Sequence, residues 1–108
     1  MPVHLVYKDD IVRAKLIGEI DDHSACDIRE NVDELLMRVR PKKLVLDFLE
    51  VPFMDSSGIG LIIGRYRIMR MWDGEIHLEN MSKRIEFIVK LSGAEKIVTM
   101  ERREENAG

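Results

Sequence analysis

Phe53-Met54-Asp55-Ser56-Ser57-Gly58-Ile59-Gly60, continued by Leu61-Ile62-Ile63-Gly64, is the stretch on which the reading of this chain turns. It joins an apolar strand candidate, Leu44 to Phe48, to a helix candidate running from Ser57 to about Trp72. The aspartate and two serines fall where the helix begins, among backbone N–H groups that have no partner inside it. That end of a helix favours negative charge, so it suits a phosphate, bound or covalently attached. The same residue types also make a plain N-cap, because Asp and Ser oxygens accept from the first turn. The residues themselves leave both readings open.

Upstream, Val3, Leu5 and Tyr7 alternate with His4 and Val6. Ile11 to Ile17 alternates again, with Val12, Ala14 and Leu16 on one side and Arg13 and Lys15 on the other. A three-residue turn, Lys8-Asp9-Asp10, makes the pair a hairpin. Asp21 or Asp22 is placed to cap a helix whose Ala25, Ile28, Val32, Leu35, Leu36 and Val39 recur at helical spacing, and Pro41 ends it. Leu44 to Phe48, nearly continuous in apolar residues, reads as a buried central strand.

In the second helix Ile59, Ile62, Ile63 and Tyr66 form one apolar stripe, and Leu61, Ile68 and Trp72 a second. Gly60 and Gly64 share a face between them. A mid-helix glycine costs about 1 kcal/mol against alanine, so the pair predicts close approach of another backbone, from a helix of the same domain or from a partner. Asp73-Gly74 closes this helix, and Glu75 to Asn80 alternates with Ile76 and Leu78 on one side. Ser82 caps a third helix carrying Ile85, Ile88, Val89 and Leu91, which Ser92-Gly93 ends. Lys96 to Met100 reads as a last short strand, and Glu101 to Gly108 as a charged tail that extends a helix briefly or frays.

The succession strand, strand, helix, strand, helix, strand, helix, strand predicts a single α/β domain over residues 1–100, followed by the tail 101–108. Its sheet is mixed but mostly parallel, with an N-terminal antiparallel strand and helices packed against it. With 108 residues, 45% hydrophobic and 34% charged, the chain has room for one core. A net charge of −3 argues against non-specific nucleic-acid binding. The single cysteine, Cys26, has no internal disulfide partner and suits a reducing compartment. Charged Lys8-Asp9-Asp10 follows Met1 too soon for a signal peptide, and no apolar run approaches the ~20 residues that span a bilayer. A cytoplasmic protein without a membrane partner is the expectation.

Enzyme motifs fail in turn. The glycine of a nucleophile elbow is missing before Ser56 and Ser57, and Gly58, Gly60 and Gly64 match neither a phosphate-binding loop nor a complete dinucleotide fingerprint. His4, His23 and His77 lack partners at metal-ligand spacing. No catalytic residue, metal or cofactor is expected. What remains is a hydroxyl offered at a helix start, a form in which a side chain becomes the substrate of another enzyme.

Gly18-Glu-Ile-Asp-Asp-His-Ser-Ala25, Phe53-Met-Asp-Ser-Ser-Gly58, Ile63-Gly-Arg-Tyr66 and Leu91-Ser-Gly93 together resemble the STAS domains of bacterial anti-sigma factor antagonists, most closely the sporulation branch that acts on the anti-sigma F factor. The resemblance spans almost the whole chain, and Asp55-Ser56-Ser57-Gly58 is its most specific part. It implies that Ser56 is the phosphoacceptor and that the kinase is the anti-sigma factor itself, using ATP and Mg²⁺. It likewise implies a separate serine phosphatase that reverses the reaction. The unphosphorylated antagonist would bind the anti-sigma factor and release the sporulation sigma factor, without touching nucleic acid. The resemblance also implies a docking surface of Asp21, Asp22 and His23 beside Asp55, Ser57, Gly58, Ile59 and Gly60, with Arg65 projecting from the same helix. Two other roles fit the same residues: a ligand-sensing module for a nucleotide or anion, and an antagonist in a stress-type phosphorelay.

Overall fold

In the computed structural model, which describes residues 2–102, Asp9 and Asp10 both take positive φ, 53° and 63°. These left-handed conformations match a two-residue hairpin turn to the right-handed twist of its strands, and Asp adopts them more readily than most residues. They join β1 (Val3–Lys8) to antiparallel β2 (Ile11–Ile17), with Lys8 paired to Ile11. The turn is therefore two residues long, one shorter than the sequence suggested.

α1 (Asp22–Val39), β3 (Lys43–Glu50), α2 (Ser57–Arg70), β4 (Glu75–Met81), α3 (Lys83–Ser92) and β5 (Thr99–Arg102) follow. The strands lie in the order β1-β2-β3-β4-β5, and every pairing after the hairpin is parallel. Three crossovers that advance in one direction, each right-handed, bring their helices to one face of the sheet. Strand alternation agrees: Val12, Ala14, Leu16, Leu44, Leu46, Phe48, Ile76 and Leu78 are buried toward the helices. The opposite face is laced with charge, Arg13 pairing with Glu79 at 2.6 Å above buried Val45 and Lys15 with Glu50 at 2.5 Å. The α/β architecture with its central Leu44–Phe48 segment is the one the sequence implied.

Several local expectations change. β5 starts at Thr99, because Ala94–Lys96 forms a 3₁₀ turn after Gly93 takes a φ of 83°. It runs through Glu101 and Arg102, where a brief helix or a frayed end was expected; residues 103–108 of the proposed tail lie outside the described residues. α3 buries Ile85, Glu86 and Val89, whereas Leu91 is 75% exposed and so leaves the predicted stripe. α2 ends at Arg70, and its buried stripe is Gly58, Leu61, Ile62, Arg65 and Met69. Ile59, Ile63 and Tyr66 are only half-buried. Among the described residues no helix is long and apolar enough to cross a membrane.

Arg65, expected to project from the helix as part of a docking surface, is 4% exposed. Its Nε lies 2.8 Å from Asp33 Oδ1, its Nη2 donates to Asp33 Oδ2 at 3.2 Å, and its Nη1 donates to the Leu61 carbonyl at 3.3 Å. Burial pushes the Arg65 guanidinium below its ordinary value and the Asp33 carboxyl above its own, in each case by more than the partner's attraction restores. Such a pair fixes the register of α2 on α1 more than it adds net stability. Asp33→Ala is expected to lower stability by about 2 kcal/mol in urea unfolding, because it strands a buried cation. Replacing both residues by leucine should recover most of that loss.

Candidate docking site at the start of the second helix

Two loops are fastened together at one end of the sheet. Ile20 N–H donates to the Phe53 carbonyl at 2.9 Å, and Asp55 N–H donates to the Ile20 carbonyl at 3.1 Å. The resulting parallel bridge sets Ile20 beside Met54, and both side chains are fully buried. Gly18, at a φ of 89° that favours glycine, turns the chain out of β2 and donates its N–H to Glu50. The Asp21-Asp22-His23 segment thereby lies beside the Asp55-Ser56-Ser57 loop.

Each helix start is capped by its own aspartate. Asp21 Oδ1 accepts from Ser24 N–H at 3.0 Å while Asp21 N–H donates to Ser24 Oγ at 2.9 Å, a reciprocal capping box. The Ser24 N–H bond holds the Asp21 carboxyl below its ordinary value of 3.8, against a smaller opposing effect of burial. At α2, Asp55 Oδ1 accepts from Ser57 N–H at 2.8 Å, and the Ser57 hydroxyl donates across the loops to Asp22 Oδ1 at 2.5 Å. Ser56 has helical dihedrals, makes no side-chain cap bond and is exposed.

The two readings left open by the sequence thus fall on different residues. Asp55 does the capping, Ser57 is engaged with Asp22, and the Ser56 hydroxyl is presented to solvent. One expectation is corrected: the first-turn N–H groups are occupied. Besides Ser57, Gly58 donates to the Asp55 carbonyl at 3.0 Å, and Ile59 and Gly60 donate to the Ser56 carbonyl at 3.0 and 3.3 Å. What remains for an anion is the positive end of the helix dipole, not a ring of unpaired donors.

Around Ser56, Asp21, Asp22, His23 and Gly60 are exposed, Asp55, Ser57 and Ile59 half-buried, and Gly58 buried. Arg65 lies deeper, in the wall between α1 and α2, already committed to Asp33. A Cβ added at Gly60 or Gly64 would meet nothing within 4 Å, so among the described residues no other backbone packs on that face, contrary to one of the two expectations. Both glycines instead line an open groove of about 540 Å³ with Asp22, Cys26, Arg29 and Ser57. Within α2, Gly58 is the glycine that packing demands, because a Cβ there would clash with the Met54 side chain. Sequence reasoning missed Arg29 and Asp33. They follow Cys26 at the i, i+3, i+7 spacing of one helix face, a polar stripe alongside the apolar one. Among the described residues no cluster of three or more His, Cys, Asp or Glu side chains could hold a metal ion.

The model of the STAS domain matches residues 3–107. This chain belongs to the STAS domain family. The anti-sigma F factor antagonist of Paenibacillus polymyxa is 29% identical to it over 107 residues, 99% of this chain and 92% of the relative. The anti-sigma-B factor antagonist of Bacillus subtilis strain 168 is 26% identical over 103 residues, 95% and 93% of the two chains. The anti-sigma factor antagonist SpoIIAA in its unphosphorylated form shares the fold with a TM-score of 0.81 at 27% identity, over 91% of this chain and 86% of its own. Bacillus SpoIIAA in the phosphorylated form gives 0.73 at 27% identity, over 91% and 89%. By both sequence and structure, then, this STAS domain is similar to antagonists of the anti-sigma F type.

Three variants check the local geometry. In thermal or urea unfolding, Gly64→Ala should stabilise this STAS domain by about 1 kcal/mol, since the helix gains propensity and the Cβ enters open space. Gly58→Ala should destabilise it by about 1–3 kcal/mol through overpacking against Met54. For Asp21, the lowered folded-state pKa means a stabilising contribution that is present above 3.8 and lost as pH falls through the folded value. Asp21→Ala should therefore be less stable than the parent at pH 7, with the two unfolding curves converging progressively below pH 3.8.

Proposed function

We propose that this STAS domain is an anti-sigma factor antagonist whose binding is switched off by phosphate on Ser56. The observation that carries the reading is the free, exposed Ser56 hydroxyl beside two fastened loops, where the neighbouring Ser57 hydroxyl is engaged with Asp22 and the Asp55 carboxylate with Ser57 N–H. The likeness to an antagonist solved in unphosphorylated and phosphorylated forms supports it. In this reading the bare chain docks on the anti-sigma F factor in the cytoplasm through Asp21, Asp22, His23, Asp55, Ser57, Gly58, Ile59 and Gly60. The sporulation sigma factor is thereby released. The anti-sigma factor, holding ATP or ADP with Mg²⁺, is the serine kinase, and a serine phosphatase restores the bare form. Arg65 contributes by holding α2 in place.

Phosphorylation adds roughly −1.5 to −2 charges at pH 7. On Ser56 that charge projects into solvent at the positive end of α2, so the fold tolerates it. Asp22 and Asp55 stand close by, so the modified loop becomes strongly anionic. A partner surface that closes over a neutral hydroxyl would have to desolvate the dianion. A penalty of about 3 kcal/mol corresponds to roughly 150-fold in affinity, enough to switch docking.

The near-equal likeness to an anti-sigma-B factor antagonist supports a second reading, the same switch in a stress-type phosphorelay. Titrating the chain against purified anti-sigma F and anti-sigma B factors separates the two, since the cognate partner should bind at least about tenfold more tightly, a difference of about 1.4 kcal/mol. With that partner, Ser56→Ala should bind as the bare chain does and resist inactivation by ATP. Ser56→Asp should bind more weakly, though less so than the phosphorylated chain. Undiminished binding by an ATP-treated, fully phosphorylated chain would refute the switch.

A further inference from the structure

Two adjacent serines open α2, and the geometry treats them differently. The Ser57 hydroxyl is half-buried and donates to Asp22 Oδ1 at 2.5 Å, whereas Ser56 is exposed and carries no cap bond. Asp22 is free for this task because Asp21, not Asp22, caps α1. The Ile20–Met54 bridge delivers it, since it sets the start of α1 against the start of α2. Resting on the phosphorylation switch described above, we propose that Asp22 is a positioning residue that selects the phosphoacceptor: it withholds Ser57 and leaves Ser56 as the site.

Transfer of a phosphoryl group requires the serine Oγ to attack the γ-phosphorus of a nucleoside triphosphate. The Oγ–P bond forms, the bond from the γ-phosphorus to the β–γ bridging oxygen breaks, the nucleoside diphosphate leaves, and the hydroxyl proton passes to a base of the kinase. Ser57 meets two obstacles. Its proton is already directed to Asp22 and away from a base on an incoming kinase. An acceptor oxygen within hydrogen-bond distance of a carboxylate would also bring the γ-phosphate's charge up against that carboxylate, a like-charge approach that raises the barrier. Ser56 is free of the first obstacle and meets less of the second, because its hydroxyl carries no cap bond and the hydrogen bond to the Asp22 carboxylate is made by Ser57. Asp55 stands next to it in sequence, but its Oδ1 is occupied by Ser57 N–H.

The test incubates wild type, Asp22→Ala and Asp22→Asn with ATP, Mg²⁺ and the purified anti-sigma factor kinase, and places phosphate by peptide mass spectrometry. The Asn variant keeps the side-chain volume, and thermal melts report whether each variant folds. In wild type, phosphate on Ser56 alone is expected. In Asp22→Ala, total phosphorylation should fall with the lost docking contact, while among the modified molecules the Ser57-to-Ser56 ratio rises at least about tenfold, as a relative barrier lowered by about 1.4 kcal/mol would give. A folded Asp22 variant modified on Ser56 with no gain at Ser57 overturns the selection role. So does a folded variant modified on neither serine, since Asp22 would then be needed for the kinase to engage at all. Wild type that accepts no phosphate overturns the switch itself, and the selection role with it.

Discussion

The reciprocal pair of backbone hydrogen bonds at Ile20, one donated to Phe53 and one accepted from Asp55, is the constraint on which the site depends. Each is worth only about 1 kcal/mol net. They persist because they hold the Ile20 and Met54 side chains in the core, where each buried apolar side chain contributes about 1.5–3 kcal/mol. Without that clamp the loop after β2 and the loop after β3 would be independent, and Asp22 could not reach Ser57. The polar geometry at the surface is thus set by apolar burial beneath it.

A second constraint acts two to three turns further along the helices. Arg65 and Asp33 tie α2 to α1 by their charges, leaving Gly60 and Gly64 with no covering side chain and a groove between the helices. An apolar contact at position 65 would pack as well or better, but with less directional preference. Two helical glycines facing open space lower the stability of α2.

The sheet and its helices were legible in the sequence because alternation and helical spacing report directly on burial. Val12, Ala14 and Leu16 in β2, and Ile28, Val32 and Leu36 in α1, are buried as their pattern implies. α2 was read less well because it is apolar on nearly all sides, so the stripe facing the core could not be singled out by composition. The buried stripe includes Gly58 and Arg65, a residue with no side chain and one with a charge. Neither scores as core in a one-dimensional reading. The Asp55-Ser56-Ser57 loop could be located but not resolved into roles, since capping, bridging and presenting a hydroxyl all draw on the same residue types. The resemblance implied Ser56 as the phosphoacceptor, but the physical difference between the two serines comes from the fold, which brings Asp22 across from 35 positions away.

In the proposed switch, one exposed oxygen controls docking while the scaffold beneath it stays unchanged. Calorimetric titration of a single preparation, half of it stoichiometrically phosphorylated on Ser56, into the anti-sigma F factor with Mg²⁺ and ADP tests it most directly. The account predicts affinity weaker by on the order of 100-fold for the phosphorylated half, with circular dichroism spectra of the two halves superimposable. Equal affinities, or a modified chain that has lost its fold, would contradict it.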